Sequence, residues 1–239
     1  KYEEFINREL IHFSKYDCDR SIPNIMDGLK ISLRKILFAA FKRKLTTEVK
    51  VAQFSGYVSE HSGYHHGEQS LNGAIIGMAQ NYVGSNNINL LLPNGQFGTR
   101  LEGGKDHASE RYIFTALNKI TRMIFPDSDD SILNYLNDDG LMVEPIYYAP
   151  IIPMVLVNGS VGIGTGFSTF IPCYNPVSII DWLKERLNSP EYKPVTTIGL
   201  YYNGFNGSII KLEGTFPVKY LIKGCYTKVA NNKIQVTEL

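Results

Sequence analysis

An α+β chain is predicted, with a helical first domain over residues 1–150 and an α/β second part over 151–239. Three observations carry that expectation. Apolar residues recur at helical spacing in several stretches before Pro126. After Glu144 the texture changes to a short, dense apolar run, and beyond Pro194 brief alternating segments are punctuated by glycines. The composition, 44% hydrophobic and 20% charged over 239 residues, supplies enough apolar material for a true core.

The elements follow in order. Phe5, Ile6, Leu10, Ile11 and Phe13 predict a helix over 3–14, and Ser21-Ile22-Pro23-Asn24 breaks it. Leu33, Ile36, Leu37, Ala40 and Phe41 fall at i, i+3, i+4, i+7 and i+8, an amphipathic helix whose Arg34, Lys35 and Lys42 lie off the apolar stripe. Val49–Val58 reads as a short segment. Leu71, Ala74, Ile75, Met78, Ala79 and Tyr82 predict a further helix, closed by Gly84-Ser85-Asn86-Asn87. Leu90-Leu91-Leu92 reads as extended, and 96–107 as a Gly-rich loop. Ser109 is a candidate N-cap for a helix carrying Tyr112 in its first turn, with Ile113, Ala116, Leu117, Ile120 and Ile124 facing inward. Residues 151–159 read as a buried strand and Val177–Leu187 as a helix. The segments 196–201, 208–212, 220–229 and 233–237 read as strands.

Net charge is +1, so partners are not legible from it, but local charge is uneven. From Leu29 to Lys50 there are seven basic residues and one acidic, whereas from Asp127 to Glu144 there are six acidic residues and no Lys or Arg. Three widely spaced cysteines without metal spacing favour a reducing intracellular setting over a disulfide scaffold. There is no signal peptide or bilayer-length apolar run, and the ends suggest a piece of a longer protein.

The stretch Gly104-Lys105-Asp106-His107-Ala108-Ser109-Glu110-Arg111-Tyr112-Ile113 is the most informative. A phenol can attack a phosphodiester, and an adjacent guanidinium can hold the phosphate and offset the charge that builds during attack. A free phenol has a pKa of about 10, so about 0.1% is phenolate at pH 7, and a site that uses one must stabilise the anion. His61, His65, His66 and Glu68 form a dense polar cluster that admits a metal, a phosphate or a capped surface turn. Gly63 and Gly67 argue against the regular helix that a metal-gripping His61/His65 pair needs. The acidic pairs Asp129-Asp130 and Asp138-Asp139 read as Mg²⁺ ligands or solvated loop charges. Gly98–Asp106 resembles a phosphate loop, but its spacing is one residue too long and Asp106 replaces the Ser or Thr. Gly159–Gly166 fails the dinucleotide spacing; its glycines imply close backbone approach, with Ile163 as an apolar tip suited to wedge between base pairs.

Taken together, these runs resemble the DNA-gate region of type IIA DNA topoisomerases, closest to the eukaryotic type. The matching runs include Arg20-Ser21-Ile22-Pro23, Asp27-Gly28-Leu29-Lys30, Tyr64-His65-His66-Gly67-Glu68, Pro93-Asn94-Gly95-Gln96-Phe97-Gly98-Thr99-Arg100, Arg111-Tyr112-Ile113 and Gly162-Ile163-Gly164-Thr165-Gly166, and they cover residues 2–176 almost continuously. Two departures stand out: Ile31-Ser32-Leu33 where the family has Pro-Gly-Gln, which would let that helix start earlier, and Phe167 where Trp is common. They suggest a divergent member, such as one from a large DNA virus.

The resemblance implies a winged-helix (helix-turn-helix) domain followed by the start of an α/β tower-type domain. It implies that Tyr112 is the nucleophile that forms a 5′-phosphotyrosyl link, with Arg111 clamping the phosphate. Arg20, Arg34, Lys35, His65 and His66 would hold phosphates around the cut, Lys50, Gln53 and Lys105 would touch DNA, and Ile163 would intercalate. It implies double-stranded DNA as partner, a homodimer, and work in the nucleus or at a cytoplasmic viral replication site. Mg²⁺ and ATP would be bound by a Toprim and an ATPase domain outside this sequence, so these residues should bind DNA without cleaving it efficiently. The competing readings are a non-enzymatic winged-helix DNA-binding module and a topoisomerase VI-like cleaving protein. The Gly162-Ile163-Gly164 loop disfavours the latter.

Overall fold

The computed structural model describes residues 1–189, 198–214 and 218–239. Helix α1 (Tyr2–Phe5), a π-helical stretch (Ile6–Leu10) and α2 (Ile11–Ser21) run on without a break and bury none of their residues. Next come α3 (Ile31–Arg43), β1 (Val49–Lys50), α4 (Val51–Ser62) and α5 (Glu68–Ala79), then β2 (Phe114–Thr115), α6 (Lys119–Ile124) and a 3₁₀ turn (Asp127–Ser131). Strands β3 (Tyr135–Asp138) and β4 (Leu141–Pro145) form a hairpin. They are followed by α7 (Met154–Val157), the hairpin β5 (Ser160–Gly164) and β6 (Phe167–Ile171), and α8 (Pro176–Asn188). The strands β7 (Ser208–Leu212), β8 (Lys219–Lys223), β9 (Cys225–Ala230) and β10 (Lys233–Glu238) close the chain. Every ladder is antiparallel and two-stranded, and the content is α+β as predicted.

Helices α3, α4 and α5 pack on one another, and the β3–β4 hairpin lies against α3 and α4 as a wing. Ile36, Leu37, Val51, Phe54, Val58, Leu71 and Ile75 are almost fully buried there. The core continues through Ile152, Met154, Val157 and Ile179, past residue 150. Local signals set the ends. Lys44 stops α3 in a left-handed conformation, and Gly63 does the same for α4. Asn118 and Asn175 cap α6 and α8 through their side-chain oxygens.

Several expectations change. The segment 49–58 is a two-residue strand running into a helix that reaches Ser62; Gly56 and the serines of α4 dilute its apolar period. Residues 154–157 form a helical turn rather than a strand, because Leu156 and Val157 donate to the Pro153 carbonyl and Asn158 to that of Met154. Helix α3 starts at Ile31. The 196–201 segment lies partly outside the described residues, and the others appear as β7 to β10. Asn87 joins the two parts: its Nδ2 donates to the carbonyls of Val157, Tyr174 and Tyr201, and its Oδ1 accepts from Asn203 N–H at 2.8 Å.

Candidate nucleic-acid interface

Tyr112 does not sit in a helix. Its N–H closes a turn on the Ser109 carbonyl at 2.9 Å. The carbonyls of Glu110 and Ile113, which would have opened a helix, instead accept the first two N–H groups of α4, from Ala52 and Val51 at 3.1 and 3.0 Å. Phe114 then exchanges both backbone bonds with Asn94, and β2 pairs with β1. Long-range pairing defeats the local helical pattern, and the helix is postponed to the Asn118 cap. Gly95, at φ +115°, makes this possible, since a Cβ there would lie 3.0 Å from Ile113 Cγ2. Ile113, 1% exposed, anchors the turn, and Tyr112 beside it is 71% exposed. The Arg111 guanidinium lies 5.9 Å from the Tyr112 ring centroid. Lys50, paired with Phe114, and Gln53, on the first turn of α4, are both exposed near this turn.

Lys105 projects from the Gly-rich loop. Gly98 and Gly104 meet so closely that a Cβ on Gly98 would lie 2.5 Å from Gly104 Cα. Gln80 staples the loop by donating to the Phe97 and Gly104 carbonyls. Asp106 accepts from the N–H and hydroxyl of Thr99, both at 2.8 Å, and these bonds hold its carboxyl below the usual range. It is a loop clip, not a phosphate-loop substitute.

A second group gathers at the other end of α4. Arg20 is exposed on the last turn of α2, and His65 and His66 follow Gly63. The Tyr16 hydroxyl is 3.2 Å from His66 Nε2, and Tyr64 meets the same ring edge-on. Desolvation lowers the His66 pKa, and Arg20, His65 and Lys35 lower it further. Cations that repel one another in this way are relieved by an arriving anion. His61 belongs to α4, stacked on Tyr57 at 4.0 Å, so it does not share a helix with His65. The twelve residues of α4 put about 18 Å between the two groups along its axis.

Ile163 projects from β5 and is 78% exposed. Gly162 and Gly164, on the opposite face of that strand, press against α2. A Cβ on Gly162 would collide with the Ser21 carbonyl, and one on Gly164 would lie 3.1 Å from Cys18 Cα. The close approach read from the sequence therefore turns Ile163, with Val161 and its cross-strand partner Phe170, away from the helix.

Arg34 and Lys35 need correction. Arg34 is 5% exposed and its guanidinium is turned inward: Nε and Nη2 donate to Asp27 at 2.7 and 3.0 Å, and Nη2 also donates to the Leu29 carbonyl. Asp27, 0% exposed, accepts from Leu29 and Tyr148 N–H as well. Lys35 Nζ donates to Glu144 at 2.8 Å and to the Ser62 carbonyl. Both cations are engaged within the fold rather than presented to solvent: Arg34 ties α3 to the loop before it, and Lys35 ties α3 to α4 and the wing. Asp27 and Glu144 were not singled out as their partners. The signal was present in Asp27, an acid among cations just before α3.

The chain is similar to known proteins in both sequence and fold. Residues 20–239 match the family model for the A subunit of DNA gyrase/topoisomerase IV. DNA topoisomerase 2 of Arabidopsis thaliana is 58% identical over 241 residues, covering 100% of this chain and 16% of the relative. DNA topoisomerase 2 of Saccharomyces cerevisiae is 51% identical, covering 99% of this chain and 16% of the relative. The crystal structure of the Plasmodium falciparum topoisomerase II DNA-binding, cleavage and re-ligation domain superposes with a TM-score of 0.92 at 52% identity, covering 100% of this chain and 32% of that one. With family model, relatives and fold in accord, the chain belongs to the type IIA DNA topoisomerases, in the family of the DNA gyrase/topoisomerase IV A subunits.

Proposed function

We propose that these residues form the DNA-gate part of a type IIA topoisomerase, with Tyr112 as nucleophile. The observation that supports this most is the presentation of Tyr112: an exposed phenol on a turn whose neighbours are buried and hydrogen-bonded, with Arg111 beside it. A nucleophile held on a fixed backbone loses little freedom on reaching its target. The phenolic oxygen gives up its proton to solvent and attacks a backbone phosphorus, the O3′–P bond breaks, and the leaving oxygen takes a proton from solvent to become a 3′-OH. Arg111 offsets charge on the non-bridging oxygens. Because the phosphotyrosyl ester retains the energy of the bond it replaces, attack by the 3′-OH reseals the strand without outside fuel.

Arg20, His65 and His66 hold phosphates at one end of α4, while Lys50, Gln53 and Lys105 contact DNA at the other. Ile163 wedges between base pairs, and the bend costs a few kcal/mol, offset by wider contact with the basic surface. Two copies related by a twofold axis cut opposite strands, so the working unit is a homodimer on double-stranded DNA, in the nucleus or at a viral replication site in the cytoplasm. Residues 1–150 act as the winged-helix domain and 151–239 open the tower. Among the described residues no three His, Cys, Asp or Glu side chains gather to hold a cation. Mg²⁺ and ATP are assigned to other parts of the enzyme, and the steps above use this chain's own groups.

In the full-length protein, Tyr112→Phe should abolish the covalent adduct at DNA 5′ ends, trapped by denaturant, while leaving the melting temperature and DNA affinity unchanged. An adduct that survives the substitution removes Tyr112 from the role.

A further inference from the structure

Residues 96–107 carry Lys105 and lead into the Tyr112 turn, but they contain no helix or strand, so their placement depends on what grips them. The inner grip is Gln80, with the Asp106 clip on Thr99 closing the loop on itself. An outer grip comes from the far end of the chain. Arg100 Nη1 donates to Glu238 Oε1, and Nη2 donates to the Leu239 carbonyl at 2.7 Å. The same guanidinium lies 5.9 Å from the Phe205 ring centroid. Its planar fork takes two acceptors in one fixed orientation, which an ammonium does not.

The hairpin β9–β10 gives no apolar reason for this docking. Every other residue of its two strands is exposed, and Glu238 is the one that is buried, its side chain 4% accessible. An acid is costly to bury unless it is paired and hydrogen-bonded. Here Oε1 accepts from Arg100 and from the Leu239 N–H, and Oε2 accepts from the Asn206 N–H at 2.9 Å. The hairpin therefore docks through a carboxylate, and the group it docks on is Arg100, in the same turn as Lys105. The path from there to the nucleophile is short. The Gly103 and Gly104 N–H groups donate back to the Arg100 and Thr99 carbonyls, the Ala108 N–H donates to Gln96, and the Ser109 carbonyl holds Tyr112.

We propose that Glu238 is a positioning residue for strand cleavage: through Arg100 it sets the Gly-rich loop, so that Lys105 meets the DNA strand that Tyr112 attacks. The inference rests on Tyr112 being the nucleophile. In the full-length protein, Glu238→Gln and Arg100→Gln should each lower the rate of adduct formation at saturating DNA about tenfold or more, since a misplacement of about 1 Å costs up to about a hundredfold. The double variant should be no slower than either single one. DNA affinity should change by less than about threefold, because Lys105 is one cation among several. In a Lys105→Ala background, itself slower than the parent, Glu238→Gln should slow the reaction no further. A purely structural tie would slow both backgrounds by the same factor, and that result overturns the proposal. Arg100, with its side chain 39% accessible, tolerates replacement more readily than Glu238, so Arg100→Gln tests the tie if Glu238→Gln does not fold. A parental rate in Arg100→Gln overturns the proposal while leaving Tyr112 in place. A parent that forms no adduct overturns the nucleophile and this inference together.

Discussion

The cations near α3 and those near the ends of α4 look alike in the sequence and do opposite work in the fold. Arg34 and Lys35 turn inward onto Asp27 and Glu144. Arg20, Arg111 and Lys105 remain exposed. A basic residue inside a motif shared with DNA-acting proteins is therefore not by that fact a phosphate ligand. What separates the two sets is the supply of buried acceptors. Asp27 offers a carboxylate at the start of α3, and Glu144 reaches Lys35 from the wing, 109 positions away.

The largest effect that would sharpen this contrast is on stability. Arg34→Ala strands a buried carboxylate and should cost about 3–5 kcal/mol in chemical denaturation. DNA affinity per folded molecule should stay near that of the parent. A variant that is stable yet binds DNA weakly would break the comparison by moving Arg34 to the outer set.

Arg20→Ala should do the reverse. Stability should change by less than about 0.5 kcal/mol, while DNA binding weakens across all sequences and the slope of log affinity against log salt falls by about 1. A salt titration checks it, and an unchanged slope would remove Arg20 from the phosphate set.

Much of this was legible beforehand, and the failures have physical causes. Helices α3, α5 and α8 carry an uninterrupted apolar period, and the loop glycines at 95, 98 and 104 stand where the backbone needs them. The Tyr112 turn was hidden because its conformation is dictated by β1, Asn94 and the first turn of α4, none of them local. Residues 154–157 depart from the strand because a dense apolar run is equally compatible with a buried helical turn, and the bonds to the Pro153 carbonyl select the turn. The inward fate of Arg34 could not be read from its place off the apolar stripe, since a paired guanidinium can be buried.

The smallest expected effect concerns pH. Desolvation and neighbouring cations lower the His66 pKa below its ordinary 6.5, so on acidification the unfolded chain takes up this proton before the folded one does. Its contribution to stability is therefore constant above about pH 6.5 and declines as pH falls toward the lowered folded value. A bound phosphate favours the charged ring, so DNA affinity should rise over the same window, and more in the parent than in His66→Gln. Equal pH dependence in the two proteins, measured by fluorescence anisotropy, would place His66 away from the phosphates.

Asn87 has a mechanical consequence. One carboxamide grips three carbonyls and one N–H from segments up to 116 positions away, so twist applied to the terminal hairpins cannot be absorbed at that joint without rupturing several bonds together. The joint behaves as a rivet, and strain arriving from the far hairpins is passed on to the loop that follows α5.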